Sequence, residues 1–201
     1  MDNPVGVLAL QGSYEAHGKV LTALGRCVRE VRTPEDLAGI DALCMPGGES
    51  TTMSLLLDSS GLREPLTTAI RDGLPVLATC AGVILLAREL RGDSGSIKVK
   101  PLGLLEATVD RNAYGRQVDS FLADLRIDWP VLGSTEADST FHGVFIRAPK
   151  IIEPGPDTVP VAFHGIEPVA FRQGNIIAAA FHPEMAGDTR FHHALLGFNQ
   201  G

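Results

Sequence analysis

Three residues carry the reactive groups of a nucleophilic centre. Cys80 stands in Leu77-Ala78-Thr79-Cys80-Ala81-Gly82, between a short apolar run and a stretch that reads as a helix. A tight strand-to-helix turn there lifts the sulfur to the top of a sheet, beside backbone N–H groups able to hold an oxyanion. The start of a helix also favours the thiolate. Far downstream, Phe181-His182-Pro183-Glu184 sets a carboxylate two residues beyond an imidazole. Residues i and i+2 of an extended segment face one side, and Pro183 disfavours helix at His182. A thiol, an imidazole and a carboxylate make a triad in which the acid orients the base and the base serves the nucleophile. Plainer readings compete: Cys80 as a small buried hydrophobe, and His182 with Glu184 as an incidental pair at a strand end.

The segment Pro46-Gly47-Gly48-Glu49-Ser50 resembles a phosphate loop but lacks the Gly-Lys-Ser/Thr ending of one. Its glycines permit unusual dihedrals and close approach of a ligand. They could turn an N–H toward an oxyanion, complementing that of Ala81; a plain turn followed by a helix cap is the alternative. Arg111, Arg116 and Arg147 lie beside strand-like segments, where a guanidinium can clamp a carboxylate or simply face solvent. His17, His142, His164, His192 and His193 lack the i, i+4 spacing of a metal-binding helix, so structural or solvated roles are expected and no metal. Cys27 and Cys44 sit in or beside apolar strands and read as buried structural cysteines.

These groups need elements to position them. Residues 5–10 form a continuous apolar run, the mark of a strand covered on both faces. A helix over 14–24 follows, then strands at 28–31 and 40–45. Ser50 or Thr51 is placed to cap a helix carrying Met53 to Leu57. A helix over 62–71, a strand over 75–79 and a helix over 81–90 complete the first half. Strands alternating with helices indicate a parallel sheet with helices on both faces. Residues 92–100 read as an exposed loop. Thereafter short strands at 104–109, 143–146, 159–163, 169–171 and 176–181 suggest added antiparallel strands, and 188–198 a final helix. The fold class is therefore α/β, with a mostly parallel central sheet. Ligands of open α/β sheets sit beyond the carboxyl ends of the strands. Gln11, Gly47-Gly48-Glu49 and Cys80 each follow such an end, so three strand ends converge on one crevice.

The bulk numbers agree with this and exclude other classes. The chain has 201 residues, 44% apolar and 20% charged, and reads as one domain over 1–201 without repeat or linker. A net charge of -7 disfavours nucleic acid. No apolar run approaches the roughly 20 residues that span a bilayer, so no membrane role is expected. Three spaced cysteines without a CxxC pair fit a reducing compartment, and the first residues lack the basic start of a signal peptide. A cytoplasmic location is the expectation.

Longer stretches carry a family resemblance. They are Gly6-Val7-Leu8-Ala9-Leu10-Gln11-Gly12, Pro46-Gly47-Gly48-Glu49-Ser50-Thr51-Thr52-Met53 and Thr79-Cys80-Ala81-Gly82. They continue in Arg111-Asn112-Ala113-Tyr114-Gly115-Arg116-Gln117-Val118-Asp119-Ser120-Phe121, Gly143-Val144-Phe145-Ile146-Arg147-Ala148-Pro149 and Phe181-His182-Pro183-Glu184. Together they resemble the glutaminase subunits of pyridoxal 5′-phosphate synthase, which are triad-type (class I) glutamine amidotransferases of flavodoxin-like fold. The resemblance implies L-glutamine as substrate, with Cys80 as nucleophile, His182 as base and then acid, and Glu184 orienting it. It implies oxyanion N–H groups from Gly48 and Ala81. Glutamine contacts would come from Gly48, Glu49, Ser50, Arg111, Ile146 and Arg147. Gln11 matches a residue whose surroundings change when the synthase docks. The implied partner is a TIM-barrel synthase subunit, twelve copies of each, that takes up the ammonia; no cofactor is implied for this chain. One position departs from the family: the residue two before the cysteine is usually glycine and here is Ala78. A requirement for positive φ there would cost about 1–2 kcal/mol. That departure supports a second reading, a non-catalytic subunit that only stabilises the synthase. A third is an amidase or peptidase on a similar fold.

Overall fold

The computed structural model describes residues 3–92, 96–111, 120–133 and 140–198. A nine-stranded sheet runs in the order β2-β1-β3-β4-β12-β11-β10-β7-β8. Its first five strands are parallel: β2 (Val28–Val31), β1 (Val5–Leu8), β3 (Ala42–Met45), β4 (Val76–Thr79) and β12 (Ile176–Ala179). The remaining four are antiparallel: β11 (Glu167–Gln173), β10 (Val159–His164), β7 (Ser120–Ile127) and β8 (Thr140–Ile146). A smaller sheet joins β5 (Ala87–Arg91), β6 (Leu105–Asp110) and β9 (Lys150–Ile152). The helices are α1 (Tyr14–Ala23), α2 (Ser50–Ser59), α3 (Arg63–Arg71), α4 (Ala81–Leu86) and α5 (Arg190–Gly197). The α/β class is as expected, but the large sheet is mixed rather than mostly parallel: β12, expected among the antiparallel strands, pairs parallel to β4, and β6 lies in the smaller sheet, parallel to β5.

Every residue of β1, β3, β4 and β12 is buried, because helices cover both faces. Side chains alternate between two cores. Leu8, Leu43, Met45, Val76 and Ala78 enter one, while Val5, Val7, Ala42, Cys44 and Leu77 enter the other. The second core holds an aromatic cluster: Phe191 stacks edge-on against Phe181 at 5.3 Å and Phe141 at 5.0 Å between ring centres. Phe181 is fully buried and directly precedes His182. Burial of such a ring is worth about 1.5–3 kcal/mol, so the chain is firmly anchored where His182 begins.

Several expectations are corrected. The helix behind Cys80 stops at Leu86, and residues 87–91 are β5 rather than a further helical turn. Residues 102–104 cap its end: the N–H groups of Leu102, Gly103 and Leu104 donate to the carbonyls of Leu85, Ala87 and Leu86. Pairing with β6 then overrides the helical preference of Arg88, Glu89 and Leu90. Strands β7 and β9 were not anticipated, and β8 begins three residues before the expected 143. Cys27 is exposed, since it leads into β2 at the sheet edge; Cys44 is buried as expected. Part of the expected 92–100 loop (residues 93–95), most of the Arg111–Phe121 stretch (112–119) and with it Arg116 lie outside the described residues.

Candidate functional site

The carboxyl ends of β1, β3, β4 and β12 lie along one edge, and the chemistry gathers there. Cys80 follows β4 with φ 47° and ψ −104°, a conformation rare outside glycine. Its N–H donates to Ala179 O at 2.9 Å, and its carbonyl accepts from Val83 at 3.1 Å, which holds the turn from both sides. Gly82 lets α4 sit against β3, because a β-carbon there would lie 2.3 Å from Met45 O. The strain falls on Cys80 and not on Ala78, which is a buried strand residue of ordinary φ. The Ala78 departure is thus accommodated without backbone cost.

His182 lies just beyond β12 and begins a single 3-10 turn over Pro183–Met185. The extended geometry expected for His182 to Glu184 is therefore absent. The turn still closes the pair: His182 Nδ1 is 2.7 Å from Glu184 Oε1. The ionised carboxylate only accepts, so Nδ1 carries a proton and Nε2 is the ring nitrogen that Glu184 does not engage. Gly47 permits the imidazole and thiol to share one corner. A β-carbon at 47 would lie 2.3 Å from His182 Cε1 and 3.2 Å from Cys80 Cβ. Cys80 Sγ also lies 3.7 Å from Ile146 O.

The charges are shifted in opposite directions. Burial opposes the His182 cation, yet hydrogen bonds and charge from Cys80 and Glu184 outweigh it and push the pKa up to about 10. Burial also opposes ionisation of Glu184, but His17 and His182 hold its carboxyl at about 2. At neutral pH the pair is therefore an imidazolium on a carboxylate.

Gln11 holds the glycine loop, its Oε1 accepting from Glu49 N at 2.7 Å. Ser13 N donates to Gly47 O at 3.0 Å. Glu49, rather than Ser50 or Thr51, caps α2: its carboxylate accepts from Thr51 N at 3.1 Å and Thr52 N at 2.6 Å. Burial works against that carboxylate's ionisation, and these N–H groups lower its pKa in spite of it. Ser50 instead accepts from Arg111 Nη2 at 2.9 Å. Arg147 adopts φ 43°, a strained conformation, and lines the same space.

These residues enclose a cavity of about 430 Å³, of small-molecule size. Cys80, His182, Gln11, Gly48, Glu49, Ser50, Arg111, Ile146 and Arg147 all line it. Of the expected site residues, only Glu184 and Ala81 are set back behind the wall. Gly47, expected at the crevice, lines it too, and Gly12, Ser13, Ile84 and Met185 line it without having been anticipated.

Behind Glu184 the sequence reading missed a buried polar group. Ser13 Oγ donates to Glu184 Oε1 at 2.8 Å. His17 Nε2 lies 3.3 Å from Glu184 Oε2 and 3.2 Å from Thr79 Oγ1. His17 Nδ1 lies 3.0 Å from His192 Nε2. With Cys44, these two histidines form the one set of metal-ligand type among the described residues, with ligand atoms within 4.8 Å of one another. The rings already engage each other, and burial, then the Glu184 charge, raise the Cys44 pKa so that its thiol keeps its proton. The group is a hydrogen-bond network. A signal for His17 was present: it stands four residues before Leu21 and seven before Leu24, on the apolar face of α1.

Among the described residues no helix is long and apolar enough to cross a membrane. Comparison with known proteins agrees with the geometry. Pyridoxal 5′-phosphate synthase subunit PdxT of Pelotomaculum thermopropionicum is 53% identical over 192 residues, covering 96% of this chain and 93% of that protein. The protein of that name from Deinococcus radiodurans is 50% identical over 194 residues, covering 96% of this chain and 95% of its own. A crystal structure of a glutamine amidotransferase superposes with a TM-score of 0.87 at 42% identity, over 98% of this chain and 99% of that one. Residues 7–197 match one family description, and the chain belongs to the SNO glutamine amidotransferase family.

Proposed function

We propose that this chain hydrolyses L-glutamine to L-glutamate and ammonia, as one domain over 1–201, and passes the ammonia to a synthase that makes pyridoxal 5′-phosphate. The observation that carries the reading is that Cys80 and His182 line one cavity with Arg111 and Arg147, with Glu184 bonded to His182 behind its wall. The names of the relatives supply the synthase. A TIM-barrel partner, assembled with this chain in twelve copies each, belongs to the same proposal, as does a cytoplasmic location.

In the mechanism Arg111 and Arg147 take the α-carboxylate of glutamine, with Glu49 and Ser50 beside them. Cys80 passes its thiol proton to His182 Nε2, its sulfur attacks the side-chain carbonyl carbon, and N–H groups of Gly48 and Ala81 hold the oxyanion. His182 gives its Nε2 proton to the departing amine, so ammonia leaves and a thioester remains. Water then attacks the thioester and His182 takes its proton; the C–S bond breaks, glutamate departs, and the proton on His182 Nε2 is shared back with the Cys80 sulfur. Glu184 holds the imidazole in the required tautomer throughout.

Glutamate release by the wild type and Cys80→Ala, each with and without the synthase subunit, tests this. The expected outcome is release by wild type in the presence of synthase and none above background by Cys80→Ala. Equal rates would sink the nucleophile assignment, and complex formation without any glutamine-dependent product would leave only a stabilising subunit.

A further inference from the structure

We propose that His17 is a positioning residue for Glu184, presenting a ring N–H to the carboxylate oxygen that His182 does not use, with His192 fixing its tautomer. This rests on the Cys80–His182–Glu184 reading above. His17 and His192 are fully buried, and neither touches the cavity. Among the described residues they connect to the chemistry through Glu184 and Thr79.

The proton positions follow from what each group can accept. Burial keeps both rings neutral, lowering His17 against the pull of Glu184 and taking His192 down to about 3. Each neutral ring therefore has one N–H and one lone pair. Two arrangements satisfy the 3.0 Å contact between His17 Nδ1 and His192 Nε2. In one, Thr79 donates to His17 Nε2, and His17 Nδ1–H donates to His192. A ring lone pair then faces Glu184 Oε2 at 3.3 Å, and the buried His192 Nδ1–H has no partner. In the other, His192 Nε2–H donates to His17 Nδ1, and His17 Nε2–H faces both Thr79 Oγ1 and Glu184 Oε2. Within the group the His192 Nδ1 lone pair is then unpartnered, and Glu184 Oε2 meets the His17 N–H at 3.3 Å as an electrostatic contact outside hydrogen-bond geometry, the N–H bonding Thr79 Oγ1.

The second arrangement wins on two counts. A lone pair against a carboxylate oxygen is repulsive, and more so in a dry interior. An orphaned buried N–H is also a rarer defect than an under-used acceptor. The chain of donors therefore runs from His192 through His17 to Glu184. The carboxylate is hydrogen-bonded at Oε1 by Ser13 and His182, and the His17 N–H faces Oε2 at 3.3 Å. Attraction at Oε2 adds to the two hydrogen bonds at Oε1 in keeping the carboxylate turned toward the imidazole it orients.

Two measurements on the full chain test this. The first is ¹⁵N NMR of its histidine rings. His17 and His192 should both be neutral Nε2–H tautomers at pH 7, and a proton on His17 Nδ1 overturns the proposal. The second is glutamine hydrolysis with the synthase present, by wild type, His17→Phe and His17→Gln. His17→Phe should lose roughly 10- to 100-fold in kcat, the range for groups that orient an acting histidine, with KM little changed. The His182 titration midpoint should fall at the same time. His17→Gln keeps a donor near the Nε2 position and should recover most of the loss. A folded His17→Phe with unchanged kcat and unchanged His182 midpoint overturns the proposal. Should that variant fail to fold, the tautomers of the wild type decide. A wild type without hydrolysis overturns the function proposed above while leaving the tautomer test intact.

Discussion

At Cys80 the backbone sits at positive φ, and neighbouring residues are chosen around that one conformation. The turn is held by Ala179 on one side and Val83 on the other, so the methyl of Ala78 adds nothing to its strain. Ala78→Gly should therefore give no gain in glutamine hydrolysis. It should lower stability by about 0.5–1 kcal/mol, the cost of glycine in a strand interior, read from the urea midpoint. Glu184 invites the opposite experiment. Glu184→Gln keeps size and removes charge, and its amide can donate to His182 Nδ1 and force the wrong tautomer. The expected loss in kcat is about 10³- to 10⁴-fold. NMR should also find the His182 pKa well below its wild-type value of about 10.

The start of α1 is the element on which most of the site depends. Gly12 takes φ 97°, and a β-carbon there would fall 1.9 Å from Gly47 O. The next residue, Ser13, binds Gly47 O through its N–H and Glu184 through its hydroxyl. Gly12→Ala therefore meets both a forbidden dihedral and a backbone collision. It should cost more than about 2 kcal/mol in urea unfolding. Gly25→Ala has a similar φ of 75° but nothing within 4 Å, so it should cost about 1–2 kcal/mol from the dihedral alone. The same element marks the limit of what the sequence discloses. Cys80, His182 and the glycine loop were legible because each follows an apolar run that ends at the same sheet edge. Ser13 was not, because a serine after a glycine carries no motif, and the apolar-face spacing of His17 signals burial but no role. Their role appears only when Glu184, more than 160 positions away in the chain, folds against them. Strand β5 was hidden for a similar reason. Its residues continue a helical pattern, and only pairing with β6 turns them into a strand.

Across the whole molecule the sheet places ionisable groups of opposite habit within one region. His182 has its pKa raised from 6.5 to about 10, so its contribution to stability is complete below pH 6.5 and lost as pH rises through 10. His17 and His192 have theirs lowered, so their contribution is complete above pH 6.5 and lost as pH falls. Glu184, held at about 2 against an ordinary 4.5, contributes above 4.5 and loses that as pH falls through 2. Urea midpoints between pH 5 and 9 should therefore pass through a maximum near 6.5, and a monotonic profile would contradict these shifts. The imidazolium in front of Glu184 and the neutral pair behind it have a thermal consequence too. Unfolding should take up protons from the buffer at pH 5.5 and release them at pH 8. The heat of unfolding should then depend on the buffer's own heat of ionisation, with opposite sign on the two sides.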